Sequence, residues 1–228
     1  MIHLITSFYL AKNNERKNEI IKCLTKNIES KKIEKIHLFL DDNKCKEFVD
    51  NLKSDKIQIV YTGKQPLYSD FVEYANTLSG KICMISNSDI WLSEVRNQKL
   101  LDLLKNRNLV YSLTRHEYDL KSPLIDLYQG SHDAFIFESP IDGKILKHIK
   151  FVQNVWGSEN VMLYELKKLS YKLYNPCKQI VIVHEHKSES RDENRTRINR
   201  GGLDGDNVYK VRSHCVSPCI ITYDNIKK

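Results

Sequence analysis

The apolar positions of this chain fall into short continuous runs, separated by stretches in which they recur every three or four residues. Runs of the first kind suit strands buried on both faces, and stretches of the second suit helices that bury one side. Residues 2–9 predict a first strand. Residues 14–27 predict a charged helix with Ile20, Ile21 and Leu24 on one face. Residues 33–40 read as a second strand ending in Asp41-Asp42-Asn43. A helix over 44–52 follows, with Phe48, Val49 and Leu52 inward, then a third strand over 56–61 that Gly63 breaks. Residues 67–78 carry Phe71, Tyr74, Ala75 and Leu78 at helical spacing, and a buried strand opens at Ile82. Strict alternation of strand and helix over residues 1–92 predicts a mostly parallel sheet with right-handed crossovers.

The second half loses that alternation. Residues 100–106 predict a short helix, 108–113 and 134–137 two strands, and 159–169 a helix with Val161, Leu163, Leu166 and Leu169 inward. Residues 179–183 read as a strand that runs into His184-Glu185-His186. Residues 187–206 hold almost no apolar side chain and include Gly201, Gly202 and Gly205, so they predict a mobile loop. Residues 208–223 read as a last strand or a tail. Asp41 and Asp42 suit a helix N-cap better than a nucleoside contact.

The stretch KICMISNSDIWL, residues 81–92, is the pivot of this pattern. Its apolar run breaks into Ser86-Asn87-Ser88-Asp89, four short polar side chains at the carboxyl end of a buried strand. Such positions line the crevice where open α/β sheets bind ligands. If the backbone stays extended, Asn87 and Asp89 point to the same side, and a carboxylate with an amide oxygen there suits a hard divalent cation. The same residues also suit a strand end closed by an Asx-turn.

Composition narrows the class. With 41% hydrophobic and 29% charged residues the chain has the profile of a soluble globular protein. Its 228 residues suffice for one large domain or two small ones; a single domain is expected. No apolar run approaches the ~20 residues that span a bilayer. The first ten residues lack a basic stretch and a small-residue cleavage site, so a cytoplasmic protein is expected, in the host cytosol or virion if viral. Six cysteines form no C-x-x-C pair. Cys215 and Cys219 beside His214 lack a second half-site for zinc, and free thiols fit better. The net charge of +7 is diffuse and favours polyanions in general, nucleotides among them. A nucleic-acid-binding protein is the alternative class, supported by that charge and by Arg191, Arg195, Arg197 and Arg200. The chain carries no recognisable nucleic-acid-binding motif.

In order along the chain stand ITSFY in the first strand, N-S-D-I at 87–90, L-T-R-H-E-Y-D at 113–119, G-S-H-D-A-F-I-F at 130–137, W-G-S-E-N at 156–160 and H-E-H at 184–186. With these segments the sequence resembles small GT-A-fold glycosyltransferases of bacteria and large DNA viruses. The resemblance spans residues 2 to about 190. It implies an α/β, Rossmann-type, mixed but mostly parallel sheet flanked by helices. It further implies a nucleotide-diphosphate sugar, UDP- or GDP-linked, as donor and a glycan or other hydroxyl as acceptor. Stable nucleic-acid binding and a transmembrane segment are not part of it.

Residues 1–92 would form the nucleotide-binding half, 93–186 the acceptor and catalytic half, and 187–228 a flexible basic loop and tail, of which the 187–206 loop suits either a lid over the site or a plain solvated loop. A divalent cation, Mn2+ or Mg2+, would bridge the donor phosphates. The family's metal motif is Asp-x-Asp. Here Asn87 replaces its first carboxylate and leaves Asp89 as the anionic ligand, a departure that also leaves a GT-A-like scaffold without catalysis open. In similar enzymes a late histidine completes the metal site; His184 and His186 share a face here, and either suits. Asp133 and Glu159 both suit the base of an inverting transfer. Glu159 also suits helix-dipole stabilisation behind a Ser158 N-cap, and Asp133 a turn. Thr6, Ser7, Tyr9, Asn87, Ser88 and Arg115 are the remaining candidate contacts to the nucleotide sugar.

Overall fold

A computed structural model describes residues 1–105, 107–117, 131–153, 155, 157–187 and 215–222. Among the described residues, ten strands and five α-helices run in the order β1 (Ile2–Ser7), α1 (Asn14–Glu29), β2 (Ile33–Leu40), α2 (Asn43–Asp50), β3 (Ile57–Tyr61), α3 (Tyr68–Asn76), β4 (Ile82–Ser86) and β5 (Ile90–Val95). They continue with α4 (Lys99–Asp102), β6 (Leu109–Leu113), β7 (His116–Glu117), β8 (Ala134–Glu138), α5 (Ser158–Lys168), β9 (Lys172–Tyr174) and β10 (Ile180–His184). The main sheet has the order β3-β2-β1-β4-β8-β6-β9. β1, β2, β3 and β4 pair in parallel; β8 runs antiparallel between β4 and β6, and β9 pairs in parallel with β6. A smaller sheet, β5-β10-β7, packs beside it.

Alternation along the central strands sorts side chains into two layers. Leu4, Ile36, Leu38 and Met84 face α1, α2 and the smaller sheet through Ile20, Leu24, Val49, Leu92 and Ile182. Ile5, Phe39, Cys83 and Ile85 face α3 and α5 through Phe71, Ala75, Val161 and Leu166. A sheet covered on both faces is why its strands read as unbroken apolar runs.

α1 begins where the Asn13 side chain accepts the Arg16 N–H at 3.0 Å. It is fastened to β5 by one buried amide. Asn27 Nδ2 donates to the Ile90 carbonyl at 3.0 Å, and Asn27 Oδ1 accepts the Leu92 N–H at 2.9 Å. That clamp sets where the residues just before β5 lie relative to the first turn of α1.

Several expectations change. After Ser86 the chain turns, with the Ile90 N–H donating to the Asn87 carbonyl at 3.2 Å, and a further strand, β5, sets out in a different sheet. The extended geometry expected for 87–89 is therefore absent. Ser158 is the first residue of α5 rather than its cap. Gly157 takes that place at φ +92°, a backbone setting that glycine adopts freely. The first strand stops at Ser7 and leaves Tyr9 beyond it. β7 and β9, two and three residues long, are too short for periodicity to reveal. Residues 215–222 form no strand; they dock through the isolated bridge Asn175–Pro218 and through hydrogen bonds to His132, Asn175 and Gln179. Asp42 does cap α2, accepting the Cys45 N–H at 2.7 Å. All six cysteines are free thiols. The expected loop over 187–206 and its arginines lie, from residue 188 on, outside the described residues, as do Tyr118, Asp119, Gly130 and Trp156. Among the described residues, no helix is long and apolar enough to cross a membrane.

Candidate functional site

Three parts of the fold bring side chains together at the carboxyl ends of β1 and β4. The turn after β4 supplies Asp89. The end of β10 supplies His184, and His186 follows two residues on. β6, β7 and the start of β8 supply Arg115, Glu117 and Asp133.

Asp89 is buried and engaged on one oxygen. Oδ2 accepts Arg16 NH2 at 2.6 Å and lies 3.1 Å from His184 Nε2. The His184 ring stacks on His186 with centroids 5.2 Å apart and planes 9° apart, as residues two apart leaving a strand on one face must. Glu185, between them, faces the other way. It accepts Trp91 Nε1 at 3.2 Å and pairs with Lys22 at 2.8 Å. His184 Nδ1 lies 3.4 Å from Glu117 Oε2. Burial opposes charge on His184, but hydrogen bonds to Asp89 and Glu117 outweigh it and raise the imidazolium to about 9. Burial likewise opposes the Asp89 carboxylate, yet His184 and Arg16 hold it well below the usual carboxylate range. The hydrogen bond to His184 brings Glu117 down to about 2.

Arg115 extends the chain of charges. Its Nε donates to Glu117 Oε1 at 3.2 Å, and NH1 donates to Asp133 Oδ1 at 3.1 Å. The other Asp133 oxygen accepts from Ser131 Oγ. Glu159, in the first turn of α5, faces the same cluster and feels both Asp133 and Arg115. Burial is the main reason its carboxyl is raised to about 8, with the Asp133 charge adding to it. By surface area Glu159 is half-buried rather than enclosed, so solvent tempers that shift.

The nucleotide-side candidates are less uniform. Thr6 Oγ1 donates to the Ser86 carbonyl at 2.9 Å, so its hydroxyl ties β1 to β4. Ser7 Oγ donates to Gln153 Oε1 at 3.3 Å, and Gln153 Nε2 returns to the Ser86 carbonyl at 2.9 Å. Tyr9 is 38% exposed and lies beside Arg16. Ser88 is half-buried in the turn. Asn87 anchors the turn by donating its N–H to the Asp133 carbonyl at 3.3 Å, while Asn87 Oδ1 is buried with no partner among the described residues.

The residues present fit a divalent cation in chemistry. Asp89, His184 and His186 offer one carboxylate oxygen and two imidazole nitrogens, all within 4.8 Å of one another. The open oxygen of Asn87 lies two residues away in the chain. A second group, Asp41, Asp42 and Cys45, stands at the carboxyl end of β2, where Asp42 is already occupied in capping α2.

Sequence reasoning missed four residues of this neighbourhood: Arg16, Glu19, Glu117 and Gln153. Glu117 was within reach, being two residues from Arg115 in a short polar segment. Arg16 and Glu19 look like the solvated face of a charged helix, and nothing around Gln153 marks it.

No protein-family model and no curated protein matches the sequence. Solved structures do. The chain is similar to the mannosyltransferase PcManGT of Pyrobaculum calidifontis in complex with GDP-Man and Mn2+, at 10% identity and a TM-score of 0.54 over 83% of this chain and 58% of that one. It is similar to residues 1–349 of S. aureus TarS in complex with UDP-GlcNAc, at 8% identity and a TM-score of 0.51 over 83% of this chain and 59% of that one. This chain therefore spans less than two thirds of either. The likeness establishes a GT-A-like fold: a mixed α/β, mostly parallel sheet flanked by helices, as in these nucleotide-sugar enzymes.

Proposed function

We propose that this GT-A-like protein is a glycosyltransferase. It transfers a sugar from a nucleoside-diphosphate sugar to an acceptor hydroxyl with inversion, assisted by a divalent cation, Mn2+ or Mg2+. One observation supports the reading: an unbroken run of ion pairs, Asp89–His184–Glu117–Arg115–Asp133, links the Asp89–His184–His186 cluster to the start of β8 at the crevice of the sheet. Asp89, His184 and His186 would hold the cation, with His184 giving up its proton to do so, and the cation when bound would offset the negative charge developing on a departing diphosphate.

Of the two carboxyl groups, Asp133 has both oxygens engaged, by Arg115 and Ser131, and suits orienting a sugar or acceptor hydroxyl. Glu159, raised to about 8, suits the base in its ionised form: that carboxylate is more basic than an ordinary one, and its share grows as pH rises toward 8. The acceptor's hydroxyl proton passes to Glu159, and its oxygen forms the new bond to the anomeric carbon. The bond from that carbon to the diphosphate oxygen breaks, and its electron pair leaves with the nucleoside diphosphate. Residues 1–92 would hold the nucleotide, with Thr6, Ser7, Tyr9, Asn87 and Ser88 around it and Arg115 toward the sugar. Residues 93–186 would present the acceptor.

The test is a panel of UDP- and GDP-sugars incubated with the protein and Mn2+, following nucleotide release and thermal stabilisation. Release from at least one donor is expected. No release, together with no stabilisation by UDP or GDP, rejects the reading.

A further inference from the structure

The Arg16 guanidinium lies against two of the three candidate cation ligands. NH2 donates to Asp89 Oδ2 at 2.6 Å, and NH1 lies 2.8 Å from His186 Nδ1. Two of the three candidate ligand residues are thus engaged by a positive side chain. The arrangement is built rather than incidental. Arg16 and Asp89 side chains are only 12% and 13% exposed. NH1 also donates to Glu19 Oε2 at 3.1 Å and to the Glu185 carbonyl at 3.2 Å. The Asn27 clamp between α1 and β5 fixes the distance between the two chains that carry the pair.

Charge makes the two cations rivals. With Asn87 in place of the first carboxylate, Asp89 is the only negative ligand in the cluster, and Arg16 already neutralises it. A divalent ion brought to the same oxygen meets a guanidinium within contact distance. Glu19, one turn further along α1, offers Arg16 a second carboxylate to keep. An open groove lined by Glu15, Asn18, Glu19, Lys22, Glu185 and Lys187 runs along the Glu19 side of α1. A diphosphate offers what a guanidinium fork prefers, paired anionic oxygens.

We propose that Arg16 is the resident counter-cation of Asp89. It excludes a divalent ion from the Asp89–His186 position in the free protein, and it transfers to the donor's diphosphate when that arrives, opening the position. Cation and diphosphate binding are then coupled through one side chain. The inference rests on the reading of Asp89, His184 and His186 as cation ligands.

The test uses the full chain and the variants Arg16→Gln and Arg16→Lys, each checked for folding by melting temperature. Mn2+ is titrated without nucleotide, following the electron paramagnetic resonance of the free ion. Separately, UDP and GDP are titrated calorimetrically in EDTA. The expected result is opposite in sign for the two ligands. Arg16→Gln binds Mn2+ at least tenfold more tightly than the wild type and the nucleotides at least tenfold more weakly. Arg16→Lys, which keeps the charge but loses the fork, falls between and serves alone if the glutamine variant does not fold. A merely structural arginine would weaken both ligands. Unchanged or weaker Mn2+ binding in the variants overturns the exclusion, and so does absence of Mn2+ binding in every protein. Unchanged nucleotide affinity overturns the transfer to diphosphate. Nucleotide binding by the wild type in EDTA remains a separate measure of the transferase reading, so the two fail distinguishably.

Discussion

Replacing Glu159 by glutamine separates what this carboxyl does for stability from what it does for catalysis. Its ordinary value is 4.5, and in the fold it rises to about 8, chiefly through burial and then through Asp133. The folded protein therefore holds the Glu159 proton more tightly than the unfolded chain does. Stability from this group is fully present below pH 4.5 and is lost as pH rises toward 8. A gap of about 3.5 units is worth at most ~5 kcal/mol. Glu159 is half-buried, so solvent screening reduces the figure to roughly 2 kcal/mol. Glutamine keeps the shape and cannot ionise. Urea unfolding of wild type and Glu159→Gln at pH 5, 6, 7 and 8 should show the variant gaining about 1 kcal/mol relative to wild type across that range, since the other titrating groups cancel in the difference. Nucleotide release should fall at least ~100-fold in the variant, with donor affinity little changed, as loss of a general base requires. In the wild type, release should climb from pH 6 to 8. Parallel stability curves would refute the perturbed carboxyl. A variant that keeps wild-type turnover would refute its role as base.

Three other outcomes follow from the same structure. Arg115→Lys replaces a fork that bonds Glu117 and Asp133 through separate nitrogens with a single ammonium. Losing one charge-assisted bond of about 2 kcal/mol predicts a roughly 10- to 100-fold fall in turnover, and a change under twofold would dismiss the positioning role. Asn27→Ala leaves the Ile90 carbonyl and Leu92 N–H buried without partners; chemical denaturation should show a loss of about 2–4 kcal/mol, and a loss under 0.5 would count against the clamp. The His132 ring accepts the Val216 N–H on Nε2 at 3.2 Å and so must carry its proton on Nδ1, 2.8 Å from Ser112 Oγ. Burial pulls the ring down to about 4, so the stability it gives the docked tail is complete above pH 6.5 and lost on acidification toward 4. Imidazole 15N shifts should report a neutral Nδ1–H ring at pH 6, and an imidazolium there would overturn that assignment.

The chain by itself determined most of the α/β frame. Residues 33–40 are a strand in both readings, and the other elements of the first half shift by a few residues, because a sheet covered on both faces needs unbroken apolar runs and helices on its faces need a 3.6-residue stripe. It also marked Asp89, His184, Asp133 and Glu159, since polar groups at strand ends and helix starts stand out against apolar runs. It did not separate β5 from β4, because Ile90-Trp91-Leu92 continues an apolar pattern that says nothing of which sheet receives it. It could not find Arg16, one charge among many on α1. Only the seating of α1 against β5, through Asn27, turns that side chain from solvent onto Asp89. Burial patterns are local and are written along the chain. Which charges meet across 73 residues, and so whether a cation is admitted, is decided by packing alone.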